Sequence, residues 1–268
     1  MATKTSVNIC VIPAAGRGSR WAPISGYLPK EMLPLIDKPV IEWVIDEVVA
    51  SGCNKIIIVI NKQKKEIRKY LLRNLKLKNK VKLYFVNQNE PLGIAHAIFL
   101  CKNLIKHENF AVALPDLPTI ARKPVLKQLI GSHKKINGMA NIVSFNSFPS
   151  ETLHFFSECL AETRKDGLLK IIHFCPKEES GKPHHPGNKI RMSGRYIFNS
   201  NIFPLIKKLM SKQHEGELKD TDALKEALTK NHIVLGLEIQ GHTYDTGTPA
   251  GYVRANTAFF KKKFYKKL

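Results

Sequence analysis

Val7-Asn-Ile-Cys-Val-Ile12, running into Pro13-Ala-Ala-Gly-Arg-Gly-Ser-Arg20, is the stretch on which the fold reading turns. A short apolar run that gives way to two closely spaced glycines reads as a strand feeding a loop. Glycines there let backbone N–H groups approach and cradle phosphate oxygens. Arg20 and, further on, Lys30 are the cations suited to neutralising a triphosphate. The loop is not a Walker A sequence, since no Gly-Lys-Ser/Thr follows. A dinucleotide fingerprint fails as well, because Trp21 stands where the third glycine is needed.

Outward from this loop the chain alternates. Residues 40–49 place Ile41, Val44, Ile45, Val48 and Val49 at helical spacing, and Gly52 follows as a stop. KIIIVI at Lys55–Ile60 reads as a fully buried strand. A helix is expected over 66–75, a strand over 81–86, a helix over 93–104 and a strand over 110–114, ended by Pro115-Asp116. Near-continuous apolar strands alternating with helices argue a parallel sheet covered on both faces. After about residue 145 the rhythm changes. Strands are expected over 168–174, 190–198 and 233–239, and helices over 201–210, 222–230 and 251–261. A polar loop over 177–188 separates the first two of these strands. The reading is one α/β domain, Rossmann-like, with a mixed but mostly parallel sheet flanked by helices. Residues 1–145 form its nucleotide-binding half; residues 146–268 close it, add a small β flap and end in a basic helix.

Composition excludes several classes. The hydrophobic share of 43% against 24% charged residues is that of a globular chain, not a disordered one. No apolar run approaches the ~20 residues that span a bilayer. The N-terminus has no uninterrupted apolar core, so a secretory signal is not expected. Five scattered cysteines without a Cys-x-x-Cys pair suit neither a zinc site nor a disulfide framework, and a reducing cytoplasm is the natural setting. The net charge of +21 is unevenly spread: residues 62–82 hold ten Lys/Arg and a single acid, Glu66. Such a run reads first as a solvated face. Nonspecific contact with polyanions is its functional alternative, and for the Lys/Phe-rich C-terminal tail, a membrane-surface helix. Charge alone names no function here.

The loop continues to Pro29-Lys-Glu-Met-Leu-Pro34 and Lys38-Pro39. Further on come Leu92-Gly-Ile-Ala-His-Ala97, Leu114-Pro-Asp116, Gly194-Arg-Tyr196, Gly216-Glu-Leu-Lys-Asp-Thr-Asp222 and Tyr244-Asp-Thr-Gly247. In this order and over almost the whole chain, the sequence resembles the bacterial sugar nucleotidyltransferases, above all the UTP–glucose-1-phosphate uridylyltransferases. The resemblance implies a GT-A-like nucleotidyltransferase fold, UTP and a sugar 1-phosphate as substrates, Mg²⁺ as cofactor, and a homo-oligomer. It implies that Ala14, Ala15, Gly16, Gly18 and Ser19 wrap the nucleotide, that Arg20 and Lys30 bind the triphosphate, and that Gln88 and Gly93 meet the uracil. Asp116, at the carboxyl edge of the sheet, and Asp245 would hold Mg²⁺, a hard ion that takes one or two carboxylates plus phosphates and water. Gly194, Glu217 and Lys177 are implied on the sugar-phosphate side.

The family's Glu-Lys-Pro, with glutamate on sugar hydroxyls and lysine on phosphates, is replaced by Phe174-Cys175-Pro176. Its Tyr-Gly element near the sugar is missing too, with residues 150–157 in that place. Cys175 has no evident histidine partner and reads as a buried strand cysteine rather than a nucleophile. An intact nucleotide half beside an altered sugar half leaves three expectations. One is uridylyl transfer to a sugar 1-phosphate, glucose 1-phosphate first. Another is nucleotidyl transfer with a different sugar phosphate or with dTTP. The last is a nucleotide-binding regulatory relative that has lost activity.

Overall fold

A computed structural model describes residues 5–74, 77, 79–138, 140–146, 158–175, 188–211 and 216–265. The first half supplies β1 (Ile9–Pro13), α1 (Val40–Ala50), β2 (Lys55–Ile60), α2 (Lys65–Arg73), β3 (Lys82–Asn87), α3 (Ile94–Leu100), β4 (Phe110–Ala113), α4 (Val125–Lys135) and β5 (Asn141–Asn146). The second half supplies β6 (Glu158–Thr163), β7 (Leu169–Phe174), β8 (Asn188–Phe198), α5 (Ile202–Ser211), α6 (Asp220–Thr229), β9 (Val234–Glu238) and α7 (Pro249–Phe264).

The strands form a nine-stranded sheet in the order β3-β2-β1-β4-β8-β5-β9-β7-β6. β1 lies parallel to β2 and β4, with Val11 opposite Ile57 and Val112. β8 and β7 run against the others, so the sheet is mixed and mostly parallel. The sequence pattern places the first-half strands side by side, but β8 wedges antiparallel between β4 and β5. Both faces of the sheet are covered. Val11, Val59, Phe110 and Val112 pack on one side with α3 and α5, and Ile12, Ile56 and Ile58 pack on the other with α1 and α4. Burial on both faces is why these strands lack polar alternation.

Several boundaries shift. The helix expected over 93–104 breaks at Cys101 into α3 and a short turn over Lys102–Ile105. β6 has no counterpart in the sequence reading. In the basic segment, Lys62, Lys65, Arg68 and Lys69 are exposed as expected, but Lys64 is buried. The C-terminal helix α7 is longer than expected. Its inner face sets Ala255 and Phe259 against Trp21, Leu33 and Val40, clamping the chain between the glycine loop and α1. No helix among the described residues is long and apolar enough to cross a membrane.

Candidate active site

A cleft of about 510 Å³ opens beyond the carboxyl ends of β1, β3 and β4, and the second half of the chain closes its far side. Its first wall is the glycine loop. Gly18 turns the chain with φ 71°, a left-handed conformation that costs a side-chain-bearing residue energy, and a tight turn over Ser19–Trp21 follows. Two bonds anchor the loop: Asn61 Nδ2 donates to the Ala15 carbonyl at 2.8 Å, and Trp21 Nε1 donates to the Thr246 carbonyl at 2.9 Å. Ala15, Gly16, Gly18, Ser19 and Arg20 all line the cleft, as does Arg17, which sequence reasoning passed over. Ala14 is not among the residues lining the cleft: it is fully buried and its N–H donates to the Val59 carbonyl at 2.7 Å. That group completes the sheet and is not offered to a ligand.

The floor holds two carboxylates. Asp116 and Asp245 come from the turns after β4 and before α7, and Thr246 joins them through N–H and Oγ1 bonds to the Asp116 carbonyl at 2.9 and 2.8 Å. A Cβ placed on Gly247 would lie 2.8 Å from Asp245 Oδ1 and 2.9 Å from Asp116 Oδ2. The residue between the two carboxylates is thus one without a side chain. Each acid also faces a cation: Lys30 Nζ is 2.5 Å from Asp116 Oδ2, and Arg20 Nη1 is 3.7 Å from Asp245 Oδ2. Burial opposes the charge on Asp116, but Lys30 outweighs it and holds the carboxyl below the usual range. Burial and then the negative charge of Asp116 push Asp245 above it. Two neighbouring carboxylates shifted in opposite directions within one cleft mark a candidate functional site.

The turn carrying Asp116 is pinned from beneath. Arg195 of β8, fully buried, pairs with Glu47 of α1 at 2.8 Å, and its guanidinium also donates to the Leu114, Leu117 and Gly194 carbonyls. Glu47 in turn accepts from Thr119 Oγ1 at 2.7 Å and from the Leu126 N–H at 3.0 Å. Nearby, buried Glu31 receives Lys64 Nζ on both oxygens at 2.8 Å, bracing the loop that carries Lys30. Neither pair was legible in sequence, because each joins residues far apart in the chain.

On the opposite wall, the Gln88 amide donates to the Gly93 carbonyl at 3.0 Å and lies 2.9 Å from His96 Nδ1. Burial lowers the His96 pKa, which suits a neutral ring accepting that bond. Gly93 has φ +95°, and a Cβ there would sit 2.3 Å from the Leu218 carbonyl oxygen. The 217–220 strip therefore docks directly on 92–95, sealed by Leu218 N–H to Leu92 O at 2.9 Å and Ala95 N–H to Leu218 O at 3.0 Å. Gln88, Gly93, Gly194 and Glu217 line the cleft as expected, and so do Tyr196, Lys219 and Asp220. Phe174 and Cys175 do not: both are buried, Phe174 in the apolar core with Cys159 and Ile171. Lys177 and residues 150–157 lie outside the described residues.

A doubly covered α/β sheet whose carboxyl edge brings a glycine loop, paired acids and cations into one cleft is the build of a nucleotidyltransferase. Residues 9–262 match the nucleotidyl transferase family, and the chain belongs to it. It is 32% identical to the UTP–glucose-1-phosphate uridylyltransferase of Bacillus subtilis over 94% of this chain and 91% of the relative. It is 28% identical to the enzyme of that name from Mycoplasma pneumoniae over 92% and 90%. Among solved structures, a UDP-glucose pyrophosphorylase complexed with UDP-glucose superposes with a TM-score of 0.83 at 30% identity, covering 96% of this chain and all 100% of the other. A UTP-bound enzyme from Acinetobacter baumannii superposes with a TM-score of 0.79 at 25% identity, over 98% and 100%. The chain is a transferase of nucleotidyl groups, of the uridylyltransferase kind recognised in its sequence.

Proposed function

We propose that this protein transfers UMP from UTP to a sugar 1-phosphate, glucose 1-phosphate before others, releasing pyrophosphate. The observation that carries the reading is the pair Asp116 and Asp245, facing each other over Gly247 beside the glycine loop and the cations Lys30 and Arg20. The named activities of its relatives support the same substrates. In this reading the backbone of Ala15–Ser19 and the side chains of Arg20 and Lys30 hold the triphosphate, and Gln88 and Gly93 face the base. Gly194 and Glu217 meet the sugar. An oxygen of the sugar 1-phosphate attacks the α-phosphorus in line and pyrophosphate leaves, so the protein's task is positioning and charge neutralisation.

The residues present fit a magnesium ion. Two facing carboxylates, with no third ligating side chain clustered among the described residues, match an ion that completes its shell with phosphate oxygens and water. Asp116 and Asp245 would hold it, and it would neutralise charge on the phosphates. Gly247→Ala should wedge a methyl group between the two acids. We expect that variant to keep its melting temperature but to need much more Mg²⁺ for half-maximal activity. An unchanged Mg²⁺ titration would remove the pair from the metal site.

We read the chain as one nucleotidyltransferase domain, because β8 of the second half sits between β4 and β5 of the first. A reducing cytoplasm suits its five buried cysteines. Pyrophosphate release from UTP, and separately from dTTP, each with glucose 1-phosphate and Mg²⁺, tests the function. Release with UTP well above dTTP is expected. Preference for dTTP would reassign the base, and no release with either would rule out glucose 1-phosphate as the acceptor, leaving another sugar phosphate or a nucleotide-binding relative without activity.

A further inference from the structure

We infer that Lys219 is the cation that receives the phosphate of the sugar 1-phosphate, from the wall facing the triphosphate loop. The inference rests on the function proposed above and deepens it. Lys30 and Arg20 on the floor each face a carboxylate, and Arg17, Arg20 and Lys30 all belong to the nucleotide half. A second phosphate entering from the far side meets a wall built by the second half of the chain. Among the described residues, Lys219 is the one cation that this half contributes to the cleft.

Its placement is built rather than incidental. Lys219, the residue before α6, is extended at φ −78° and ψ 158°, and burial alternates along the approach to the helix: Glu217 exposed, Leu218 buried, Lys219 exposed, Asp220 buried. Leu218 is bonded through N–H and C=O to Leu92 and Ala95, which fixes the strip against the Gln88–Gly93 wall. Alternation then sends Glu217 and Lys219 to one side, an acceptor for hydroxyls two residues from a donor for phosphate. The following residue locks the strip at its other end. Asp220 accepts the Tyr196 hydroxyl and the Thr221 N–H, and Asp222 accepts the Lys219 N–H at 2.8 Å. Asp220 is thereby spent on Tyr196, and the Lys219 ammonium faces no carboxylate partner among the described residues. A fixed backbone beneath a cation that has no carboxylate partner among the described residues is poised for an anionic ligand.

The test compares Lys219→Met, which keeps length but not charge, with Lys219→Arg and with Lys177→Met. Losing one charge-assisted contact should raise KM for glucose 1-phosphate about ten- to a hundred-fold in Lys219→Met. KM for UTP should stay at the wild-type value, and Lys219→Arg should recover much of the loss. An unchanged KM for glucose 1-phosphate would overturn the inference, as would an equal rise for UTP. It would also fall if Lys177→Met alone produced the sugar-phosphate effect. If the wild type transfers nothing, the proposed function fails separately. Calorimetry with glucose 1-phosphate then still decides Lys219: binding by the wild type that is lost in Lys219→Met supports it, and equal or absent binding in both overturns it.

Discussion

Asp116→Asn should lower kcat by about 10³-fold while leaving the fold intact, since metal-borne charge stabilisation amounts to several kcal/mol. The same change at Asp245 should also lower kcat steeply, but it should stabilise the free protein at pH 7. Burial and the neighbouring Asp116 charge raise the folded pKa of Asp245 above the ordinary 3.8, so its ionised form weakens the native state. That penalty is present above the folded pKa and disappears as pH falls through it toward the unfolded value. Asp245→Asn should therefore melt higher than wild type at pH 7, with the gap closing in acid. Asp116 has the opposite sign: Lys30 overcomes burial and depresses its pKa, so its charge contributes stability at neutral pH that is lost in acid. Thermal melts of both variants from pH 3 to pH 8 read the two signs directly. Equal destabilisation at pH 7 would mean that the two acids do not share one field.

Glu47→Ala should cost about 3–5 kcal/mol of stability, because it strands a fully buried guanidinium without its counter-charge. The urea midpoint should fall accordingly, and activity should fall beyond what the lost folded fraction explains. Arg195 also holds the carbonyls of Leu114 and Leu117, which bracket Asp116, so a loosened guanidinium releases the turn that places the carboxylate. Replacing both partners by apolar residues (Glu47→Leu with Arg195→Met) should restore much of the stability, since a buried pair is often no better than good packing. It should not restore kcat. If it did, the pair would be structural only.

Much of this architecture is written locally in the chain. KIIIVI at Lys55–Ile60 admits one reading, and the Val7–Arg20 stretch declares both a buried strand and the loop beyond it. What local pattern does not carry is pairing. Nothing in residues 190–198 says that the strand lies between β4 and β5 or that it runs against them, since direction depends on the connection and not on periodicity. The charged partners were hidden for the same reason. Lys64 reads as one more lysine in a solvated run until Glu31 is brought to it from 33 residues away. Ala14 looks like part of the loop, yet its N–H belongs to the sheet. Most of the nucleotide half of the cleft was legible because its residues sit at the ends of strands. On the sugar side the sequence named Gly194 and Glu217, which line the cleft, and Lys177, which lies outside the described residues; Lys219 was missed because nothing local marks that lysine as facing a cleft. Phe174 packs in the core and Cys175 is buried, and among the described residues the 217–220 strip lines that side of the cleft.

The central claim is transfer of the α-phosphoryl group with its nucleoside, and isotope position tests it most directly. UTP labelled with ³²P at the α-phosphorus is incubated with glucose 1-phosphate, Mg²⁺ and either the wild type or Asp116→Asn. With the wild type, all transferred label should appear in UDP-glucose and none in pyrophosphate, and the variant should give almost no product. Label in inorganic phosphate or UMP without UDP-glucose, or transfer undiminished by Asp116→Asn, would contradict the account.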